Sequence, residues 1–186
     1  MKIHIFGASG SGVTTLGQAL AAALQLPYFD SDAYFWEPTH PPFILKRAPG
    51  LRNAAIRADL DKQNSWVLGG SAVNWGNDVF PPFDLIVFLW LPPAIRMERL
   101  KTRELERYGK VIFTDAQRHQ QYQAFMAWAA DYDNCTGVAG RTIQVHEQWL
   151  QQQTSRVLQI RGDLTVAERL HIIMEAITPL PLRNNK

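Results

Sequence analysis

The chain has 186 residues, 46% of them hydrophobic, and 19 Lys or Arg against 17 Asp or Glu give a formal net charge of +2. This length is typical of one compact domain, so we interpret residues 1–186 as a single domain. The small net charge argues against a nucleic-acid-binding or polybasic membrane-binding protein. One cysteine and an N-terminus without a long apolar region predict a cytoplasmic protein, and the longest apolar run is too short to cross a bilayer.

Strands and helices alternate in the predicted elements. The predicted strands are residues 3–6, 28–30, 66–68, 84–91 and 156–160. One predicted helix begins near Thr14 and another is opened by Pro92 and Pro93. Further helices are predicted at residues 51–63, 114–132, 142–153 and 166–177. Residues 34–43 are predicted as a loop and 178–186 as a frayed tail. This alternation indicates an α/β fold, a doubly wound parallel sheet with helices on both faces.

A glycine-rich loop follows the first strand and precedes the first helix. Gly7, Gly12 and Thr14 have the spacing of the phosphate-binding loop G-x-x-x-x-G-K-[ST], in which backbone N–H groups surround a phosphate. Thr14 occupies the position whose hydroxyl would bind Mg²⁺. Val13 stands where that motif has a lysine, so we expect nucleotide binding to tolerate this change better than turnover does.

The same loop is also compatible with a different class of protein. Gly7, Gly10 and Gly12 resemble the glycine turn of a dinucleotide-binding unit, with Asp30 about 20 residues on as a ribose acceptor. The motif G-x-G-x-x-G is not met, so an NAD(P)-dependent oxidoreductase is the weaker alternative.

Two carboxylates follow the second predicted strand. Asp30 and Asp32 lie two residues apart, so in extended geometry they point the same way. They could bind Mg²⁺ through water or orient an acceptor hydroxyl, and the alternative is a helix cap or a turn.

Basic residues concentrate in two places. Arg96, Arg99, Arg103 and Arg107 recur every three or four residues and form one stripe on a helix, where they could neutralise a transferring phosphoryl group or pair with neighbouring acids. We select Arg99 and Arg103 as the catalytic pair, with Arg118 as a possible third. Lys46 and Arg47 could contact an acceptor phosphate or replace the missing lysine; the alternative is an exposed helix entry.

These motifs together resemble the small P-loop kinases of the adenylate kinase, shikimate kinase and gluconate kinase type. The resemblance rests on the loop, Asp30-Ser31-Asp32, Gly69-Gly70 and the Arg-rich segment. The runs 28–36, 41–43 and 46–47 are similar to adenylate-kinase-related, topology-modulation-type bacterial P-loop kinases. The resemblance implies sheet order 2-3-1-4-5, an acceptor-binding segment at about 33–64 and a helical lid within about 96–135.

The resemblance also implies roles for individual residues. The residues expected to hold ATP are Gly7, Ala8, Ser9, Gly10, Ser11, Gly12, Val13, Thr14 and Thr15, with Arg103 and Arg161 beside them. The residues expected near the acceptor are Asp32, Lys46, Arg47, Gly69 and Gly70, and Thr14 and Asp32 are expected to organise Mg²⁺. We therefore expect an ATP- and Mg²⁺-dependent kinase of a small molecule or nucleoside monophosphate, and the main alternative is a nucleotide-binding protein with little or no turnover.

Overall fold

The computed structural model describes residues 1–76 and 78–178. The strands are β1 (Lys2–Gly7), β2 (Tyr28–Asp30), β3 (Trp66–Gly69), β4 (Leu85–Trp90) and β5 (Arg156–Arg161). The helices are α1 (Val13–Leu24), α2 (Ser31–Phe35), α3 (Pro49–Leu60), α4 (Pro93–Tyr108), α5 (Val111–Thr114), α6 (Ala116–Asn134), α7 (Ile143–Gln151) and α8 (Val166–Ile177). The predicted fraying of the tail concerns mainly residues 179–186, which lie outside the described residues.

The strands form one parallel sheet in the order β2-β3-β1-β4-β5. The fold class and strand order expected from the resemblance are therefore confirmed. β3 pairs directly with β1, for example Val67 opposite Ile3. In the common dinucleotide-binding order 3-2-1-4-5-6, β2 takes that place. The strand order thus disfavours the oxidoreductase alternative.

Side chains of β1 alternate between two apolar cores, one on each face of the sheet. Ile3 and Ile5 are buried with residues of α1 and α8, whereas Phe6 is buried on the other face with residues of α3 and α7. β4 alternates in the same way and is almost wholly buried, as a central parallel strand should be. Because all strands run parallel, their carboxyl ends meet at one edge, where open α/β sheets bind ligands.

Most predicted elements are present, with shifts at their ends. The predicted α8 matches its observed bounds, and Thr165 and Glu168 form a capping box at its start. The predicted helix at 114–132 is divided, because the Asp115 side chain caps a new helix there by accepting a hydrogen bond from the Arg118 N–H.

The extended geometry assumed for Asp30 and Asp32 was wrong. Asp30 ends β2 and its side chain accepts a hydrogen bond from the Asp32 N–H at 3.0 Å, so Asp32 lies in the first turn of α2. The predicted loop at 34–43 therefore begins within this short helix.

Within residues 1–76 and 78–178, no helix combines the length and apolar character needed to cross a membrane.

Candidate active site

The glycine loop between β1 and α1 has a shape that depends on its glycines. Gly10 and Gly12 have positive φ angles of 85° and 93°, a region that side chains with a Cβ rarely adopt. A Cβ on Gly7 would lie 2.4 Å from the Leu89 carbonyl oxygen of the neighbouring strand β4. The loop therefore fits closely against the sheet edge.

This loop forms one wall of a cleft of about 460 Å³ at the carboxyl ends of the strands. The lining residues from the loop are Gly7, Ala8, Ser9, Gly10, Gly12, Val13, Thr14 and Thr15. The other charged lining residues are Asp30, Asp32, Arg96, Arg99, Arg103, Arg107 and Arg141. The cleft thus brings the glycine loop, both carboxylates and the whole predicted arginine stripe together. Ser11 is buried within the loop.

Val13 does not bring a cation to this cleft. Its half-buried side chain packs against the apolar core beside α1 and α8, so it anchors the helix start. None of the described residues that line the cleft is a lysine. The positive charge facing a ligand here is carried by arginine.

Two buried arginines hold the loop by its carbonyl groups. Arg96 of α4 donates a hydrogen bond to the Ser9 carbonyl oxygen at 3.1 Å, and Arg169 of α8 donates one to that of Ser11 at 2.7 Å. Arg96 also pairs with Asp133. These contacts fix the loop from α4 on one side and from α8 on the other.

Three other arginines of α4 lie on the cleft wall and are more accessible. Arg99 pairs with Asp163 at 2.8 Å, and Arg103 contacts Glu104 at 3.3 Å. Arg107 lies 3.6 Å from the same Glu104 carboxylate. One buried carboxylate therefore faces two guanidinium groups, which leaves net positive charge available to a ligand.

Arg141 extends this basic wall from the segment before α7. Its guanidinium lies 5.5 Å from the ring centroid of Trp128, which also lines the cleft. Desolvation lowers the pKa of Arg141, and the Asp32 carboxylate acts in the opposite direction. The guanidinium nevertheless stays charged at any ordinary pH.

Asp32 is the carboxylate that interacts with these arginines. Desolvation by the surrounding protein raises its pKa, and the Asp30 carboxylate raises it further. Three guanidinium groups act in the opposite direction, those of Arg141, Arg103 and Arg107. Asp32 therefore combines a raised proton affinity with a position in the basic cleft, as a general base requires.

Asp30 is engaged in local hydrogen bonds. Its carboxylate caps α2 and accepts hydrogen bonds from the Thr14 hydroxyl at 3.3 Å and the Tyr28 hydroxyl at 3.4 Å. Desolvation and the charge of Asp30 raise the pKa of Tyr28, so its phenol remains protonated. Asp30 is therefore compatible with both predicted roles, helix cap and ligand contact, because its carboxylate caps α2 and the residue lines the cleft.

A neutral polar group closes the other end of the cleft. His146 is buried and makes hydrogen bonds with the Tyr132 hydroxyl at 3.0 Å and with the Ser71 hydroxyl at 3.3 Å. Desolvation, followed by the charge of Arg141, lowers the pKa of His146 to about 3. The imidazole is therefore neutral and links α6, α7 and the loop after β3.

Six residues expected at the site lie outside the cleft lining, among them Ser11 and Arg118, whose guanidinium lies 4.1 Å from the Tyr108 ring centroid. Lys46 lies near the Phe35 ring, and Arg47 is paired with Glu37 at 3.3 Å. Arg161 pairs with Glu147 at 2.7 Å. Gly69 packs under a tyrosine of β2. Of the Gly69-Gly70 pair, Gly70 lines the cleft.

Sequence reasoning did not single out several cleft residues. The polar and aromatic lining residues not proposed for the site are Ser71, Trp128, Tyr132, Arg141 and His146. Ser71 directly follows Gly69-Gly70, so its adjacency to that pair was the available signal. Arg141 lies 34 residues beyond Arg107, the last member of the arginine stripe, and has no periodic partner.

No protein-family model matches the chain. It is 38% identical over 177 residues to the uncharacterized protein YqaC of Bacillus subtilis (strain 168), a match that covers 95% of this chain and 97% of YqaC. Deoxyadenosine kinase from M. mycoides with bound dATP has a TM-score of 0.55 at 12% identity, over 95% of this chain and 98% of that one. Shikimate kinase from Acinetobacter baumannii in complex with shikimate has a TM-score of 0.52 at 14% identity, over 95% and 92%. At these identities the structural likeness concerns the fold alone.

Proposed function

The chain belongs to the same protein family as YqaC and has a P-loop kinase-like fold, and from this premise we propose that it transfers the γ-phosphoryl group of ATP to a small acceptor. The observation that carries the proposal is the placement of the glycine loop, Asp32 and a wall of arginines around one cleft. A phosphoryl donor needs an amide-lined cradle, and the transferring group needs charge neutralisation; this cleft offers both. The deoxyadenosine kinase and the shikimate kinase named above share the fold and support the same class of reaction.

The donor set fits a nucleotide bound with Mg²⁺. The carboxylate beside the Thr14 hydroxyl is that of Asp30, so we assign Mg²⁺ to Thr14 and Asp30 rather than to Thr14 and the expected Asp32; both groups are hard oxygen ligands of the kind that Mg²⁺ prefers. Among the described residues there is no cluster of three His, Cys, Asp or Glu side chains that could hold an ion alone. This suits Mg²⁺, which is commonly held by one or two protein oxygens, waters and substrate phosphates. When bound, the ion supplies charge that bridges and neutralises the phosphates.

The arginines and Asp32 would divide the remaining work. Arg99 and Arg103 line the cleft from α4 and would neutralise charge on the transferring group. Asp32 would accept the proton of the acceptor hydroxyl while the new P–O bond forms and the bond to the ADP oxygen breaks. With little covalent chemistry required of the protein, positioning and charge neutralisation would supply most of the rate.

A second candidate function follows from Val13. Since its side chain is apolar and packs against the core, and no lysine is among the described lining residues, a binding protein that turns over ATP slowly or not at all would have the same cleft. Binding then has a role of its own, such as nucleotide sensing. The two functions differ in turnover and agree in nucleotide affinity.

The experiment separates binding from turnover. Calorimetry measures the affinity for ATP–Mg²⁺ and, as a control for the oxidoreductase alternative, for NAD(H). Turnover is then measured as ADP release against a panel of nucleoside monophosphates and small hydroxylated acceptors. The kinase proposal predicts ATP–Mg²⁺ binding and acceptor-dependent ADP release. Binding without release on any acceptor would favour the second candidate, and absence of ATP binding at millimolar concentration would contradict both.

A further inference from the structure

We propose that Arg169 is a positioning residue that supplies, from behind the glycine loop, the positive charge that Val13 does not supply from within it. The inference rests on the proposed function, because it concerns how this loop binds phosphate. No feature of the sequence motif marks Arg169, which lies on the last helix, 158 residues from the loop residue that it contacts.

The guanidinium of Arg169 lies directly beneath the loop. The residue is 3% exposed, and its Nη1 donates to the Ser11 carbonyl oxygen at 2.7 Å while its Nη2 donates to that of Gly162 at 3.2 Å. A Cβ built on Gly12 would lie 3.2 Å from Nη1. The charge is therefore in contact with the part of the loop that precedes α1, next to the position of Val13.

The charge of Arg169 has no direct counter-ion in the part of the chain that the structure describes. Its hydrogen bonds go to two neutral carbonyls, its Nε has no partner there, and none of the ion pairs includes it. The Asp163 carboxylate, whose charge acts on Arg169, is already paired with Arg99 at 2.8 Å. Buried charges are costly unless they are paired. An anion bound at the loop would complete the pair.

Arg96 shows by contrast why Arg169 is the stronger candidate. Both are buried and both donate to a loop carbonyl, but Arg96 has the carboxylate of Asp133 as a partner. Its charge is largely balanced within the fold. The charge of Arg169 has no such partner, so it adds to the positive potential at the loop from behind.

The geometry of the peptide bond explains how a group behind the loop can act on its front. In a planar trans peptide the C=O and N–H bonds point in opposite directions. Because the Ser11 carbonyl points to Arg169, the Gly12 N–H of the same peptide points away from it. Arg169 thus fixes and polarises this N–H as an anion donor. Arg96 holds the peptide of Ser9 and Gly10 in the same way.

The test is a double-mutant cycle between Arg169 and Val13, with inorganic tripolyphosphate as the calorimetric probe. Arg169→Gln removes the charge but keeps an amide donor, and we expect it to weaken tripolyphosphate binding at least fivefold. Arg169→Lys keeps the charge and should retain affinity within fivefold of wild type. Adding Val13→Lys to Arg169→Gln should restore at least fivefold of the lost affinity. The same change in the wild type should gain less than threefold, because the loop already has its cation. Thermal unfolding confirms that each variant is folded.

The outcomes separate this inference from the proposed function. A wild type that binds neither ATP–Mg²⁺ nor tripolyphosphate would overturn both. A wild type that binds them, together with a folded Arg169→Gln variant that loses less than fivefold, would overturn the role of Arg169 and leave the proposed function standing. If Arg169→Gln does not fold, Val13→Lys alone decides: a gain below threefold supports the inference, and a larger gain overturns it.

Discussion

Asp30 accepts a hydrogen bond from the Thr14 hydroxyl at 3.3 Å, which joins the end of β2 to the first turn of α1. The same carboxylate also caps α2. Asp30 thereby joins the elements around the cleft beside the proposed Mg²⁺ position, whereas the Asp32 carboxylate interacts with the arginine wall. The two acids, which look equivalent in the sequence, have different surroundings and different expected roles.

Asp32→Asn should lower kcat by about 10²–10⁴-fold and leave the affinity for ATP–Mg²⁺ within about threefold, because a general base acts on the chemical step. In the wild type, kcat/KM should rise with pH as Asp32 loses its proton, and desolvation moves this rise above the usual aspartate range. The variant should lack this acid limb in its pH–rate profile. Asp61→Asn, at an exposed position just after α3, is the matched control. A variant that kept the limb would assign it to another group.

Arg141→Gln should reduce kcat/KM by about 10–100-fold, as expected for loss of one positioned donor in a phosphoryl-transfer site. It should also move the acid limb of the pH–rate profile to higher pH, because Arg141 is the first of the cations that lower the pKa of Asp32. Lys101→Gln is the control, since Lys101 is exposed and pairs with Glu98. Equal effects of the two substitutions would place Arg141 outside the site.

Gly10→Ala should damage the loop through backbone strain and through steric contacts of the added Cβ. Gly10 has a φ of 85°, and a Cβ there would lie 2.9 Å from Leu100 Cγ and 3.0 Å from the Arg96 carbonyl oxygen. We expect a loss of about 1–3 kcal/mol in the free energy of unfolding and at least tenfold in tripolyphosphate affinity. Gly50→Ala, in α3 with no atom within 4 Å of its Cβ, should be neutral or stabilising by about 0.5–1 kcal/mol. Denaturant unfolding and calorimetry test both, and an unchanged Gly10→Ala variant would refute the loop geometry.

Two buried histidines should make the protein less stable in mild acid. Desolvation lowers the pKa of His4 to about 4 and, with Arg141, that of His146 to about 3. Between these pKa values and about pH 6.5 the two histidines are protonated in the unfolded chain and neutral in the folded protein. The free energy of unfolding is therefore highest above pH 6.5 and decreases as the pH falls.

Each histidine should contribute a loss of about 1–2 kcal/mol between pH 7 and pH 5. His4→Phe can keep the stacking with Phe6 and Phe83. It should reduce the slope of the free energy of unfolding against pH by the contribution of one proton. His171→Gln, which removes an exposed histidine, is the control for the loss of a histidine as such. Denaturant unfolding at several pH values measures the slope, and an unchanged slope in His4→Phe would contradict a buried neutral imidazole.

The sequence predicted those features that depend on local pattern. Short apolar runs located the strands, the helical period of apolar residues located the first helix, and the spacing of Gly7, Gly12 and Thr14 located the loop, because these patterns express local structure directly. The arginine stripe was visible since its members share one helix face. That all four of its arginines line the cleft is a tertiary fact, set by how α4 packs on the sheet edge.

The features that the sequence could not predict either join residues far apart in the chain or depend on one isolated residue. Arg169 reaches the loop across 158 positions, and Arg141 and His146 are isolated residues on separate segments. The short helix α2 was missed because its start depends on one side-chain cap, that of Asp30. Lys46 and Arg47 were plausible ligands by residue type and position, yet in the fold Arg47 is paired with Glu37.

The central claim is that the glycine loop binds the phosphates of a nucleotide, and amide NMR of ¹⁵N-glycine-labelled protein titrated with ATP–Mg²⁺ tests it most directly. We predict that Gly10 and Gly12 show the largest shift changes and that these saturate with the affinity measured by calorimetry. The amide signals of Gly50 and Gly137, which do not line the cleft, should not shift. Unchanged Gly10 and Gly12 signals at saturating ATP–Mg²⁺ would contradict the claim.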